Sequence, residues 1–171
     1  MTVYFGDGTN IATAPSGGAV KQVVRMSTNT ATSASGGFSH RSQYDISITP
    51  TSSSNKIVLY YSVPTGVNGS WYGAGYLVYR GSTRLYNSAT GSRGIVAAPL
   101  GVAYDHNTVM SMATWIVEDS PSTTSSITYK LYSGDNEGDS NTGIYINRTG
   151  DDANNAEHLR SYTTVIAMEV T

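Results

Sequence analysis

The chain has no cysteine among its 171 residues. Disulfides, thiolate metal sites and cysteine nucleophiles are thereby excluded. Charge is scarce as well. Asp, Glu, Lys and Arg make up 13% of the sequence, about half of the ~25% usual in soluble domains. The formal net charge is -2 and no basic run occurs, so the electrostatic footprint of a nucleic-acid partner is missing. No window of 18 apolar residues exists, so no membrane-spanning helix is expected. The opening MTVYFGDGTN lacks a basic n-region and an apolar h-region, and it reads as a mature start without a secretory signal. Phenylalanine is nearly absent, at 2 residues, against 13 tyrosines.

Ser, Thr, Gly and Asn take the place of charge, a composition that suits short strands joined by polar turns and disfavours helices. Period-2 alternation marks the strands. It is carried by Val20, Gln22, Val24 and Met26, by Tyr44, Ile46 and Ile48, and by Ile127, Tyr129, Leu131 and Ser133. Lys56–Val63 (KIVLYYSV) is apolar on both faces and predicts a central strand. Further strands are predicted at Trp71–Arg80, Val109–Val117, Ile144–Asn147 and Tyr162–Val170. In the last of these, Tyr162, Thr164, Ile166, Met168 and Val170 share one face, and Val165 and Ala167 the other.

Turn clusters lie between the runs at Ser33–Gly37, Thr49–Asn55, Gly66–Ser70, Asp119–Ser126, Gly134–Gly143 and Gly150–Asn155. Leu85–Asp105 reads as a long connection. The expectation is an all-β fold, an antiparallel jelly-roll-like β-sandwich with a short N-terminal arm. Residues 1–18 form the arm or linker, and residues 19–171 a single sandwich domain.

Catalysis needs a positioned acid, base or nucleophile with an orienting partner. His40, His106 and His158 stand in separate polar stretches. Asp105-His106 are adjacent, which on a strand points them to opposite faces. The loop from Gly134 to Asn141 (GDNEGDSN) alternates oxygen ligands in a way calcium favours. It fails the EF-hand template, because Ser140 stands where glycine is required and no bidentate Glu follows. A hydrophilic hairpin tip is the simpler account, with Asp151-Asp152 as a further carboxylate source if the fold brought them near. Asn68-Gly69-Ser70 and Asn147-Arg148-Thr149 match the N-glycosylation pattern, but without a secretory signal the match carries no weight. No catalytic residue, cofactor or metal is expected.

Tyrosine combines a large apolar ring with a polar tip, which suits sheet packing, half-exposed surfaces and subunit contacts. Trp71, Tyr72, Tyr86 and Tyr104 fall near loop tips, where they could stack on sugar rings. Arginine outnumbers lysine: Arg25, Arg41, Arg80, Arg84, Arg93, Arg148 and Arg160 against Lys21, Lys56 and Lys130. Arginine is the better interface cation, because its fork bonds bidentately and its plane stacks on aromatic rings.

Five stretches then stand out in order: ISITPTSSSNKIVLYYSV (46–63), LVYRGSTRLY (77–86), VEDSPSTTSSITYKL (117–131), GIYINR (143–148) and YTTVIAMEV (162–170). Together they resemble a family of phage virion proteins, common in cyanophages and marine phages, of the tail-fibre or decoration kind. The resemblance covers about three quarters of the chain as one β domain. It implies an exterior virion component without an enzymatic site. The front of the chain departs from a fibre pattern, since too few residues precede the strands for a shaft.

The leading expectation is a capsid-decoration (cement) protein on the particle exterior, forming a homotrimer and contacting the major capsid protein. A short tail fibre or receptor-binding tip, attached to a tail protein and gripping a host glycan, is the alternative. A free carbohydrate-binding module comes next, and a polysaccharide hydrolase last. Neither nucleic acid nor membrane is expected as a partner.

Overall fold

A computed structural model describes residues 3–4, 10–11, 19–68, 73–86, 95–100, 107–135 and 143–171. Fourteen strands lie among the described residues. In chain order they are β1 (Val3–Tyr4), β2 (Asn10–Ile11), β3 (Val20–Thr28), β4 (Thr32–Ser35), β5 (Ser39–His40), β6 (Ile46–Ile48) and β7 (Lys56–Asn68). Then follow β8 (Ala74–Arg80), β9 (Thr83–Arg84), β10 (Ala98–Pro99), β11 (Met110–Asp119), β12 (Ile127–Asp135), β13 (Gly143–Ile146) and β14 (Thr163–Val170). A single 3-10 turn, Ser42–Tyr44, joins β5 to β6.

All strand pairings are antiparallel. In the arm region β1 pairs with β2. The remaining strands make two sheets that share one core. The large sheet is organised around β7. One edge of β7 pairs with β11. The other edge pairs with β14 over Lys56–Ser62 and with β13 over Thr65–Asn68. β3 continues the sheet beyond β14, and β4 continues it beyond β13. The smaller sheet runs β10, β8, β12, with β5 and β6 sharing the far edge of β12 and β9 folded back on β8.

The central-strand expectation for KIVLYYSV holds, because its run of Ile, Val, Leu and Tyr satisfies a strand paired on both edges. The strand continues past Val63 through the expected turn at Gly66. Ser33–Gly37, expected as a turn, instead supplies β4 over Thr32–Ser35. Pairing with β13 satisfies these backbone groups, so sheet context overrides the weak strand propensity of Ser and Ala. Within Leu85–Asp105, Ala98–Pro99 forms a short edge strand on β8.

The inner face of the large sheet reads in rows across the strands. Trp115, Tyr61, Val165 and Met26 form one row, and Val117, Leu59, Ala167 and Val24 the next. The Tyr61 and Trp115 rings stack at 4.7 Å and 4°. Tyr76, from β8 in the facing sheet, stacks on the same indole at 5.1 Å and 12°. Three rings thus bridge the ~10 Å gap between sheets. Offset aromatic pairs of this kind add about 0.5–1.5 kcal/mol each beyond the area they bury. Tyr76 is anchored further by a 2.6 Å hydrogen bond between its hydroxyl and Thr65 Oγ1.

The polar ends of the other two rings are less well served. Tyr61 Oη and Trp115 Nε1 are buried and have no hydrogen-bond partner among the described residues. Burial pushes the Tyr61 hydroxyl's pKa far up, with the Asp45 carboxylate adding to the effect. An unsatisfied buried hydroxyl costs about 1–3 kcal/mol. Tyr61→Phe keeps the ring stack and removes that hydroxyl. Its urea midpoint should equal or exceed that of the wild type, by up to about 1 kcal/mol in unfolding free energy. A clear destabilisation would show that the hydroxyl is satisfied.

Candidate functional site

Most chemistry would need charged groups. His40, at the end of β5, faces Asp45 across the 3-10 turn, with Nε2 2.8 Å from Oδ1 and 3.0 Å from Oδ2. Its ring stacks on Tyr132 at 5.1 Å. Among the described residues no hydroxyl is bonded to His40 Nδ1. The sequence reading missed this pair, since a spacing of five residues around one irregular turn follows no regular period. His158 bonds Asn155 Oδ1 through Nδ1 at 2.5 Å and lies 3.6 Å from Asp151. Asp105-His106 lies outside the described residues, as do Trp71, Tyr72, Tyr104 and most of the Gly134–Asn141 loop. Among the described residues no three His, Asp or Glu side chains gather as a metal site.

Two buried carboxylates sit at one rim of the sandwich, flanking Ile57 in the row Asp119, Ile57, Glu169 and Gln22. Asp119 ties the sheets together. Arg80 Nη1, from β8, donates to both its oxygens at 3.0 and 3.1 Å, and the Tyr129 hydroxyl, from β12, donates to Oδ2 at 2.7 Å. Burial, followed by the bond to Asp119, pushes the Tyr129 hydroxyl's pKa up.

Glu169, on β14, has no exposed surface and no cationic partner among the described residues. Its carboxylate accepts from Asn55 Nδ2 at 2.6 Å, Gln22 Nε2 at 2.7 Å, Thr51 N–H at 2.7 Å and Thr51 Oγ1 at 2.8 Å. Burial by itself would raise its pKa. The bonds from Asn55, Gln22 and Thr51 together outweigh that and hold it at about 2. The turn Thr49–Asn55 is therefore a wrapping around the carboxylate of the last strand. Two of the segments that carry the family resemblance, TPTSSSNK and AMEV, are one structural unit held by this group.

The arginines are mostly engaged in holding the fold. Besides Arg80, Arg41 donates to Ser133 and Ser39, Arg84 to the Ile95 carbonyl, and Arg160 pairs with Asp152. Arg93 lies outside the described residues. The tyrosines divide. Tyr44, Tyr61, Tyr76 and Tyr129 are fully buried, which is plain packing. Tyr86, expected at a loop tip, is half exposed with φ +53°, and its hydroxyl accepts the Glu118 N–H at 3.0 Å, covering the edge of β11.

Asn147 is excluded as a glycan acceptor. Its side chain is fully buried, Nδ2 donates to the carbonyls of Thr28 and Thr30 at 2.9 and 3.0 Å, and Oδ1 accepts from Thr163.

The surface that packing does not explain is the outer face of the large sheet. On β14 the inward positions are Thr163, Val165, Ala167 and Glu169, while Ile166, Met168 and Val170 point outward and are partly exposed. Outward rows follow from the register: Ile116, Tyr60, Ile166 and Arg25, then Glu118, Val58, Met168 and Val23. Ile116 is 63% exposed, Val23 58% and Met112 57%. Val20 joins them, because the register shift near Glu169 sets it opposite Val170 and leaves it exposed. Four strands over about seven residues span roughly 450 Å² of sheet plane. Arg25 and Glu118 share this plane with the apolar residues, and the largest apolar patch of a typical monomer is about 300–600 Å².

No family model matches this chain, and no curated protein matches it.

The Glu169 wrapping carries a pH signature. The folded state keeps this carboxylate ionised down to about pH 2, whereas its ordinary value is 4.5. Its contribution to stability is therefore complete above pH 4.5 and drains as pH falls toward 2. Glu169→Gln brings an amide N–H against donors and should unfold at lower urea than the wild type at pH 7. The gap between the two should close as the titration is repeated from pH 4.5 down to 2. A gap that stays constant over that range would show that the bonds do not depend on charge.

Proposed function

We propose that this chain is a structural subunit on the exterior of a phage particle, a capsid-decoration (cement) protein that acts by binding alone. In this reading it is a jelly-roll-like sandwich that forms homotrimers and seats against the major capsid protein. The observation that carries the reading is the inverted terminal strand, with small and polar residues inward and Ile166, Met168 and Val170 outward in register with exposed Ile116 and Val23. The virion setting comes from the resemblance of the five ordered segments.

The occupant of the face is a second copy of the chain. Lys21 and Arg25 project along the β3 margin, and on the β11 side Glu118 is paired with Lys56 of its own chain at 2.7 Å. Copies arranged in a closed ring bring the basic β3 margin of one toward the Lys56–Glu118 pair of the next, where the exposed carboxylate can be shared between cations, and cover the apolar rows between. A face of roughly 450 Å² is smaller than the ~800 Å² per partner of a standard interface. One contact of this size is weak, and stability comes from closing the ring and adding shell contacts by mass action.

Sedimentation velocity on the purified chain should show a trimer that dissociates on dilution. The double variant Val23→Lys with Ile116→Lys should sediment as a monomer. Each site is exposed, so the variant's folding stability should stay within about 0.5 kcal/mol of wild type per substitution. In particles that carry the chain, cryo-electron microscopy should place many copies on the head surface. A monomeric wild type, unchanged by the double substitution, would sink the self-association. Density at the tail alone would replace decoration with a fibre.

A further inference from the structure

At the end of β7 far from Glu169, the outward positions of three neighbouring strands are small. Ser35, Gly143 and Asn68 share one row, and Ser33, Tyr145 and Gly66 the next. A Cβ on Gly143 would stand 2.5 Å from the Tyr145 hydroxyl oxygen, so only glycine lets that ring lie across the sheet. Arg148, just after the buried Asn147, lies over the same ring, with its guanidinium carbon 4.4 Å from the centroid. The backbone of Arg148–Gly150 then crosses β7 at Gly66, where a Cβ would stand 2.6 Å from the Arg148 carbonyl oxygen. The result is a groove of about 410 Å³ lined by Ser33, Ser35, Asn68, Gly143, Tyr145 and Arg148. That volume falls in the ~300–1,000 Å³ range of small-molecule sites.

Arg148 at the wall shares a single carboxylate with a second arginine. Asp152 gives Oδ1 to Arg160 Nη2 at 2.5 Å, and its Oδ2 lies 3.5 Å from Arg148 Nη1. One carboxylate shared between two guanidinium groups leaves this trio with a net positive charge. Stacking on Tyr145 holds the Arg148 fork in one orientation, as bidentate recognition of a carboxylate requires. Around it stand two serine hydroxyls and the Asn68 amide, each able to donate and accept. That set of partners suits a polyol.

We propose that the groove binds a sugar ring bearing a carboxylate. Arg148 takes the carboxylate, and Ser33, Ser35 and Asn68 take the ring hydroxyls. The site lies across the Arg148–Gly150 crossing from the apolar rows. Sugar binding and self-association are therefore separate properties, and the loss of one leaves the other standing.

The test is an NMR titration of the full chain carrying Val23→Lys and Ile116→Lys, with glucuronate, glucose and acetate as probes. Glucuronate should move the amide signals of Ser33, Ser35, Gly143 and Tyr145, and should bind about tenfold more tightly than either glucose or acetate. Arg148→Gln should remove the preference for glucuronate over glucose. Ser35→Trp, a substitution at an exposed position, should fill the groove and abolish the shifts while leaving the rest of the spectrum intact. The proposal is overturned if glucuronate moves no groove signal, if acetate binds as well as glucuronate, or if Ser35→Trp leaves glucuronate binding unchanged.

Discussion

Three stacked rings decide how the sandwich is filled. Trp115 lies against Tyr61 beside it in the large sheet and against Tyr76 from the facing sheet. Sheets stack ~10 Å apart, and rings of this size use most of that depth. The strand on the other edge of β7 must then be thin on its inner side, and β14 is: Val165 stands opposite Tyr61, and Ala167 opposite Leu59. Interiors pack to crystal-like density, so a larger residue at these inward positions would force the sheets apart. The bulky apolar residues of β14 are left to point outward. The exposed apolar face is thus a consequence of the core.

The rim of the sandwich is governed by a different requirement, the satisfaction of buried charge. Asp119 and Glu169 flank Ile57 on neighbouring strands. A buried carboxylate persists only when its oxygens are bonded. Asp119 uses a cation and a phenol from the facing sheet. Glu169 uses neutral donors from a single turn and from β3. The first arrangement joins the sheets, and the second fastens the last strand to the turn that precedes the central one. Both tie separate segments of the chain together. The outer surface of the large sheet carries an apolar face at one end and a polar groove lined by Arg148 at the other.

Much of this was legible in the residue order. Alternation over Tyr44–Ile48, Ile127–Ser133 and Tyr162–Val170 placed strands that the structure contains, and the two-sided apolar run from Lys56 marked the strand that pairs on both edges. These are local properties, because a strand's period of two and its degree of burial are written in consecutive side chains. β4 was not legible. Thr32–Ser35 has no strand-like composition and is a strand only because β13 lies beside it. His40 with Asp45, and Arg148 over Tyr145, also escaped, since neither pair follows the period of a regular element.

Sequence alone thus determined the all-β class, the positions of the long strands and the division of β14 into two unlike faces. It could not say which of those faces points inward. Apolar content favours burying Ile166 and Met168, and the opposite happens because Tyr61 and Trp115, more than 50 residues earlier, already occupy the space. The groove has the same origin. Ser33, Asn68, Gly143 and Arg148 are spread over more than 110 residues, and only strand pairing sets them around one hollow. Local order specifies an element's pattern, whereas steric volume and register across the sheet decide what that pattern faces.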